Sequence, residues 1–189
     1  YKSISKEIDK NVLNILKSGQ YILGRNVEDL EIKFSNFIGS KYSVSCNSGT
    51  DALILSLRAL NIGHGDEVIT TPFTYFATAE AIVLVGAKPV FVDINPHTFN
   101  INYKNIEKYI NKRTKAIMPV HIFGQSAEIG EIKKICRKYH LKLIEDCAQS
   151  FGAKKNNKYT GTFGDFGCFS FFPTKNLGCA GDGGMITTN

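Results

Sequence analysis

The stretch Ser170-Phe171-Phe172-Pro173-Thr174-Lys175-Asn176-Leu177-Gly178 sets an amine behind two aromatic rings and a proline, with more glycines at Gly181, Gly183 and Gly184. Lysines are ordinarily spread over solvated faces. Apolar and conformationally special neighbours on both sides would desolvate the ammonium of Lys175 and favour its neutral, nucleophilic form. That is the chemistry of an imine-forming lysine, and it needs partners.

Candidate partners lie upstream, each with a plainer alternative. Asp146, in Glu145-Asp146-Cys147-Ala148-Gln149-Ser150, directly follows an apolar strand. It is either a helix cap or a buried functional carboxylate. A carboxylate there can hold a pyridine nitrogen protonated and turn the ring into an electron sink, with Gln149 placed to hydrogen-bond a ring substituent. Ser48-Gly49-Thr50 joins a strand to a helix; it is an N-cap or an anion cup in which Gly49 lets a phosphate approach the backbone. Tyr75, in Phe73-Thr74-Tyr75-Phe76, is a core aromatic or a face on which a flat ligand stacks. His121 is a structural residue or a catalyst. His64, His97 and His140 show no metal spacing with it, and neither a G-x-S-x-G nor a P-loop pattern occurs. Together the phosphate cup, stacking ring, acid and amine list the parts of a pyridoxal-phosphate site.

The elements that must position them alternate. Helices are expected up to Leu16 and over about 27–38, closed by Gly39, and a short strand over 42–46. Residues 52–57 read as a helix buried on nearly all sides. Strands follow at 67–71, 90–93, 116–120, 141–145 and 166–170. The intervening helices begin at about Tyr75, near Asn105 and near Ile129, and Met185 to Thr188 reads as a final strand. Strand–helix alternation with continuous apolar strands implies a mainly parallel α/β sheet covered by helices on both faces. Ligands in such sheets sit beyond the carboxyl ends of the strands. Residues 47–50 and 73–75, His121, Asp146 and Ser170 all follow strands at that edge.

The chain has 189 residues and a formal net charge of +6. Its basic residues fall at helical spacing (Lys104, Lys108, Lys112 and Lys115, then Lys133, Lys134, Arg137 and Lys138), which reads as solvated helix faces rather than a nucleic-acid patch. A basic surface suits phosphorylated small molecules. Five cysteines without CxxC spacing argue for a reducing compartment and against a disulfide framework or zinc site. No signal peptide or bilayer-length apolar run is found, so the expected location is the cytoplasm, with no membrane partner.

These motifs, in this order, resemble the DegT/DnrJ/EryC1/StrS family of sugar aminotransferases. The resemblance rests on residues 65–69, Pro119-Val120-His121, residues 144–150 and residues 170–184, and spans essentially the whole chain. It implies the large, cofactor-binding domain of a fold-type I pyridoxal-phosphate transferase over residues 1–189, incomplete at both ends and without the small C-terminal domain. It further implies that Lys175 forms the imine, Asp146 pairs with the pyridine nitrogen, Gln149 contacts the ring hydroxyl and Tyr75 stacks on the ring. Gly49, Thr50, Ser170 and Ser48 would bind the phosphate, with no metal. The implied reaction moves an amino group from an amino acid, usually glutamate, to a keto group of a nucleotide-linked sugar. The residues around Lys175 look like those of members acting at C3. Such members are homodimers serving cell-surface glycan or amino-sugar biosynthesis, and the chain as given is expected to be inactive or impaired alone. The competing readings are a sugar dehydratase, against which Lys175 stands, a non-catalytic binding or regulatory module of the same fold, and a basic nucleic-acid binder.

Overall fold

The structure, a computed structural model, describes residues 2–189. Seven strands form one sheet: β1 (Tyr42–Cys46), β2 (Glu67–Thr70), β3 (Lys88–Phe91), β4 (Thr114–Ile117), β5 (Lys142–Asp146), β8 (Phe166–Ser170) and β9 (Gly184–Thr188). A small hairpin, β6 (Lys154–Lys155) and β7 (Lys158–Tyr159), lies apart from it. The sheet order is β1-β9-β8-β5-β4-β2-β3. Strands β3, β2, β4, β5 and β8 pair in parallel, while β9 runs antiparallel to both β8 and β1. The strands β1, β2, β4, β5 and β8 therefore deliver their carboxyl ends to the same edge. The helices are α1 (Ser5–Ser18), α2 (Arg25–Ile38), α3 (Gly49–Ala59), α4 (Ala77–Leu84), α5 (Tyr103–Ile106) and α6 (Ile129–Tyr139).

Side-chain alternation along each strand divides the core between two faces. Val68, Ala116, Ile144 and Cys168 turn to one face and pack against Ala52, Leu53 and Leu57 of α3 and Ala81 and Ile82 of α4. Their neighbours Ile69, Ile117 and Leu143 turn to the other, against Ile106 of α5 and Ile129, Ile132 and Ile135 of α6. Phe169 and Met185 meet Phe34 and Ile38 of α2. Full burial of a side chain such as Ile69 or Ile144 contributes about 1.5–3 kcal/mol. On α6 the buried residues recur at helical spacing, and the basic ones face solvent, where Lys134 pairs with Glu131 and Lys138 with Glu107. The solvated-face reading of that basic run holds. Among the described residues, no helix is long and apolar enough to cross a membrane.

Some expectations change. The helix expected from Tyr75 begins at Ala77, which leaves Tyr75 in the preceding turn. Helix α3 is not buried all round: Ala52, Leu53, Ser56 and Leu57 face the sheet while Leu55 is 45% exposed, because only one side of the helix meets strands. The strand expected through Val120 ends at Ile117, and Val120 retains a single bridge to Asp146. Pro119 lacks the N–H a ladder requires.

Candidate active site

The loop from β1 to α3 is shaped by its cap. Ser48 is the N-cap of α3 and its Oγ accepts the Asp51 N–H at 3.0 Å, while the Ala52 N–H reaches the Ser48 carbonyl. Capping is thus one use of Ser48, as the plainer reading held. The cap also leaves the N–H groups of Gly49 and Thr50 without a hydrogen-bond partner among the described residues. Two free N–H donors at the positive end of a helix form an anion site. Ser170, the last residue of β8, closes this cup. A Cβ at Gly49 would lie 2.6 Å from the Ser170 Cβ, so only glycine permits the approach. Gly184 does the same one strand away, since a Cβ there would collide with the Ser48 carbonyl.

Asp146 ends β5 and is held on both sides. Its N–H donates to the Pro119 carbonyl, its carbonyl accepts the His121 N–H, and the Cys147 N–H donates to the Cys168 carbonyl across β8. The carboxylate accepts the Ala148 N–H on Oδ1 at 3.1 Å and the Thr78 hydroxyl on Oδ2 at 2.8 Å. It is the buried functional carboxylate, not a helix cap, since no helix follows it. Burial pushes the carboxyl above the usual carboxylate range, and the Ala148 N–H, the Thr78 hydroxyl and the nearby Lys175 charge pull it back only in part.

Lys175 lies on the loop between β8 and β9. The loop is drawn closed by the Phe171 N–H on the Gly183 carbonyl and the Cys179 N–H on the Phe171 carbonyl, and the Lys175 N–H turns back to the Phe172 carbonyl. The apolar wrapping expected around Lys175 is absent. Phe171 turns into the core, but Phe172 is 50% exposed and Lys175 itself is half-buried, because nothing packs over this loop among the described residues.

All eight residues singled out from the sequence, namely Ser48, Gly49, Thr50, Tyr75, Asp146, Gln149, Ser170 and Lys175, line one cavity of about 420 Å³. Tyr75 stands at its mouth, 75% exposed. Sequence reading missed Thr74, Thr78, Thr174 and Asp182 on the same wall. The signal for the first two was a pair of threonines one helical turn apart, beside the helix start that carries Tyr75.

His121 and Glu145 lie outside this lining, fully buried. His121 Nδ1 accepts the Ala127 N–H at 3.0 Å, which assigns the ring proton to Nε2, 3.0 Å from Glu145 Oε2. Glu145 also accepts the N–H groups of Gly161, Phe163 and Gly164. The structural reading of His121 therefore holds: the pair ties the loop before β8 to the end of β5. These two residues and Cys147 bring potential metal ligands within 4.8 Å of one another. Both ring nitrogens and both carboxylate oxygens are already committed to hydrogen bonds.

Comparison with known proteins follows the geometry. The model of the DegT/DnrJ/EryC1/StrS aminotransferase family matches residues 2–189. The UDP-2-acetamido-2-deoxy-3-oxo-D-glucuronate aminotransferase of Pseudomonas aeruginosa is 50% identical over 186 residues, which are 98% of this chain and 52% of that protein. The chain thus spans about half the length of this curated relative. Among solved structures, a DegT DnrJ EryC1 StrS aminotransferase from Brucella abortus superposes with a TM-score of 0.97 at 40% identity, covering 100% of this chain and 52% of that one. The PLP-form of a putative sugar aminotransferase from Streptococcus pneumoniae has a TM-score of 0.91 at 32% identity, covering 95% of this chain and 50% of that one.

Proposed function

The chain belongs to the DegT/DnrJ/EryC1/StrS aminotransferase family, and from that premise we propose that it is the pyridoxal-phosphate-binding large domain, of fold type I, of a nucleotide-sugar aminotransferase. The observation that carries the reading is the convergence of Lys175, Asp146 and the Gly49–Thr50 cup on one cavity. The fit to the cofactor can be judged residue by residue. The free N–H groups of Gly49 and Thr50 and the hydroxyls of Thr50 and Ser170 suit a phosphate, and the Gly49–Ser170 approach leaves no room for a side chain in that cup. Ser48 keeps a hydroxyl hydrogen to offer, since it only accepts from Asp51. A desolvated carboxylate with a cavity-facing side suits a protonated ring nitrogen. Gln149 suits a ring hydroxyl, and the exposed face of Tyr75 suits a flat ring. No residue of the set is a metal ligand in this reading.

When bound, the cofactor supplies an electron sink for a carbanion at the amino-acid carbon. The chain's own residues do the rest. Asp146, fixed by Ala148 and Thr78, holds a proton at the ring nitrogen. The Gly49–Thr50 cup and Ser170 anchor the phosphate and so fix the ring relative to Lys175. Lys175, attached to a loop rather than to a strand interior, supplies its Nζ as nucleophile and, once released, as the base that takes and returns the proton at the reacting carbon. The ordered, buried acid and the half-buried amine thus divide the work: one orients, the other moves protons.

The substrate reading follows the Pseudomonas relative, whose name specifies a UDP-linked 3-oxo sugar. By that analogy this protein aminates C3 of a nucleotide-linked keto sugar, with an amino acid, L-glutamate by preference, as donor. It acts as a cytoplasmic homodimer in cell-surface glycan or amino-sugar biosynthesis and needs no nucleic-acid or membrane partner. The test is the visible spectrum of the full-length protein with pyridoxal phosphate, followed by turnover of a 3-keto nucleotide sugar with glutamate. A visible band in the wild type that is lost in Lys175→Ala, together with glutamate-dependent amination, is expected. A wild type without the band overturns the reading.

A further inference from the structure

We propose that Thr78 is a positioning residue for Asp146, and that Thr74 and Thr78 form a directed hydroxyl relay from the cavity wall to the buried carboxylate. The proposal rests on the cofactor reading above and deepens it. Thr78 is 1% exposed and sits in the first turn of α4, with Thr74 one turn earlier in the preceding loop. A threonine buried beside a helix start commonly bonds a carbonyl of its own helix. Thr78 instead reaches across to β5 and meets Asp146 Oδ2 at 2.8 Å. Its oxygen also lies 2.8 Å from the Thr74 hydroxyl.

Counting hydrogens gives the relay a direction. A hydroxyl has one hydrogen. With Asp146 ionised, Thr78 spends that hydrogen on the carboxylate, so the hydrogen between the two threonines must come from Thr74. The chain then runs Thr74 to Thr78 to Asp146, and Thr74 presents acceptor lone pairs towards the cavity it lines. With Asp146 protonated, the acid can donate to Thr78 and every bond reverses without orphaning a group. A valine at position 78 would serve neither state.

The same contact orients the acid. Oδ1 is held by the Ala148 N–H and Oδ2 by Thr78, donors from two different elements, so the carboxylate plane is set from two sides. Other titratable groups around Asp146 are engaged elsewhere or lie across the cavity. His121 Nε2 is given to Glu145, Glu145 is filled by its own donors, the thiols of Cys147 and Cys168 are buried, and Lys175 faces the acid over the cavity. Among the described residues, Thr78 is the hydroxyl donor on this carboxylate.

The experiment measures the dissociation constant for pyridoxal phosphate, and the pH at which the bound cofactor's visible absorption titrates, in the full-length protein and its variants. Thr78→Val should weaken binding roughly ten- to a hundredfold, the range for losing a hydrogen bond to a charged group. It should also move the spectroscopic titration. Thr78→Ser, which keeps the hydroxyl, should bind within about threefold of wild type and restore the titration. Thr74→Val should lose about threefold, and it carries the test if Thr78→Val does not fold. Wild-type binding by a folded Thr78→Val, wild-type binding by Thr74→Val, or equal damage from serine and valine at position 78 would overturn the relay while leaving the cofactor reading intact. A wild type that binds no pyridoxal phosphate overturns both.

Discussion

Gly49→Ala gives opposite signs depending on whether the helix or the cup decides its effect. Gly49 opens α3 and its φ is not in the left-handed region, so alanine should fit the helix. By backbone entropy alone the change would stabilise the protein by about 0.4–1 kcal/mol. The structure predicts the reverse. The new Cβ would sit 2.6 Å from the Ser170 Cβ, 3.1 Å from its Oγ and 3.2 Å from its Cα. Carbon atoms pack at about 3.5–4.0 Å, so the overlap is about 1 Å. Its nearest partner is a Cβ fixed to a strand, not the tip of a flexible side chain, so a backbone must move. Overpacking of this kind costs about 1–3 kcal/mol, and the net expectation is a loss of about 1–2 kcal/mol. Urea denaturation of the cofactor-free protein should show it as a midpoint lower by about 0.5–1 M, given typical slopes. A titration with pyridoxal phosphate should show binding weaker by about tenfold, because the displaced segments are the phosphate cup. Adding Ser170→Gly removes the colliding atoms. The double variant should recover stability with a coupling energy of about 1–2 kcal/mol, but not affinity, since the Ser170 hydroxyl is gone. A Gly49→Ala protein more stable than wild type, or a cycle without coupling, would refute the packing argument.

Two further outcomes concern the buried acids. Glu145→Gln sets an amide group against a pocket built from the His121 Nε2–H and three backbone N–H donors, and should cost about 3–5 kcal/mol in urea or thermal denaturation; a loss below about 1 kcal/mol would sink the account of this pair. Asp146 has a folded-state pKa raised by burial, so protonation favours the folded cofactor-free protein. Its charge therefore costs stability increasingly as pH rises from the unfolded value of about 3.9 through the raised folded value, and the cost is constant above that. Asp146→Asn should match wild type in the acid and exceed it near neutrality while losing cofactor affinity. Denaturation curves from about pH 4 to about pH 8 check this, and a difference that does not change with pH would refute it.

Much of the site was legible because its residues punctuate regular elements. Asp146 and Ser170 end apolar strands, Ser48-Gly49-Thr50 carries an N-cap signal, and alternation of strands and helices placed them on one sheet edge before any coordinates. Element types followed from the same patterns: period-two pairs such as Ile69 beside Val68, and the helical spacing of Ile129, Ile132 and Ile135 on α6. Boundaries were less legible where a special residue intervened, as at Pro119. Helix α3 misled for another reason: its apolar stretch includes Leu55, and nothing local tells which side of a helix a sheet will cover.

Local chemistry thus determined which side chains were candidates and that they would meet at the carboxyl edge, because strand direction and cap preference are written in neighbouring residues. Only the tertiary structure decided what those side chains touch. Gly49 is required by Ser170, a residue from a distant strand. Thr78 acts through Asp146 on a different layer, and His121 is given to Glu145 instead of the cavity. Each of these depends on the register of one element against another, which packing sets and sequence spacing does not. The same holds for Lys175, whose apolar neighbours suggested a wrapped amine but whose loop leaves it half-buried, since burial belongs to what lies over a residue and not to what precedes it.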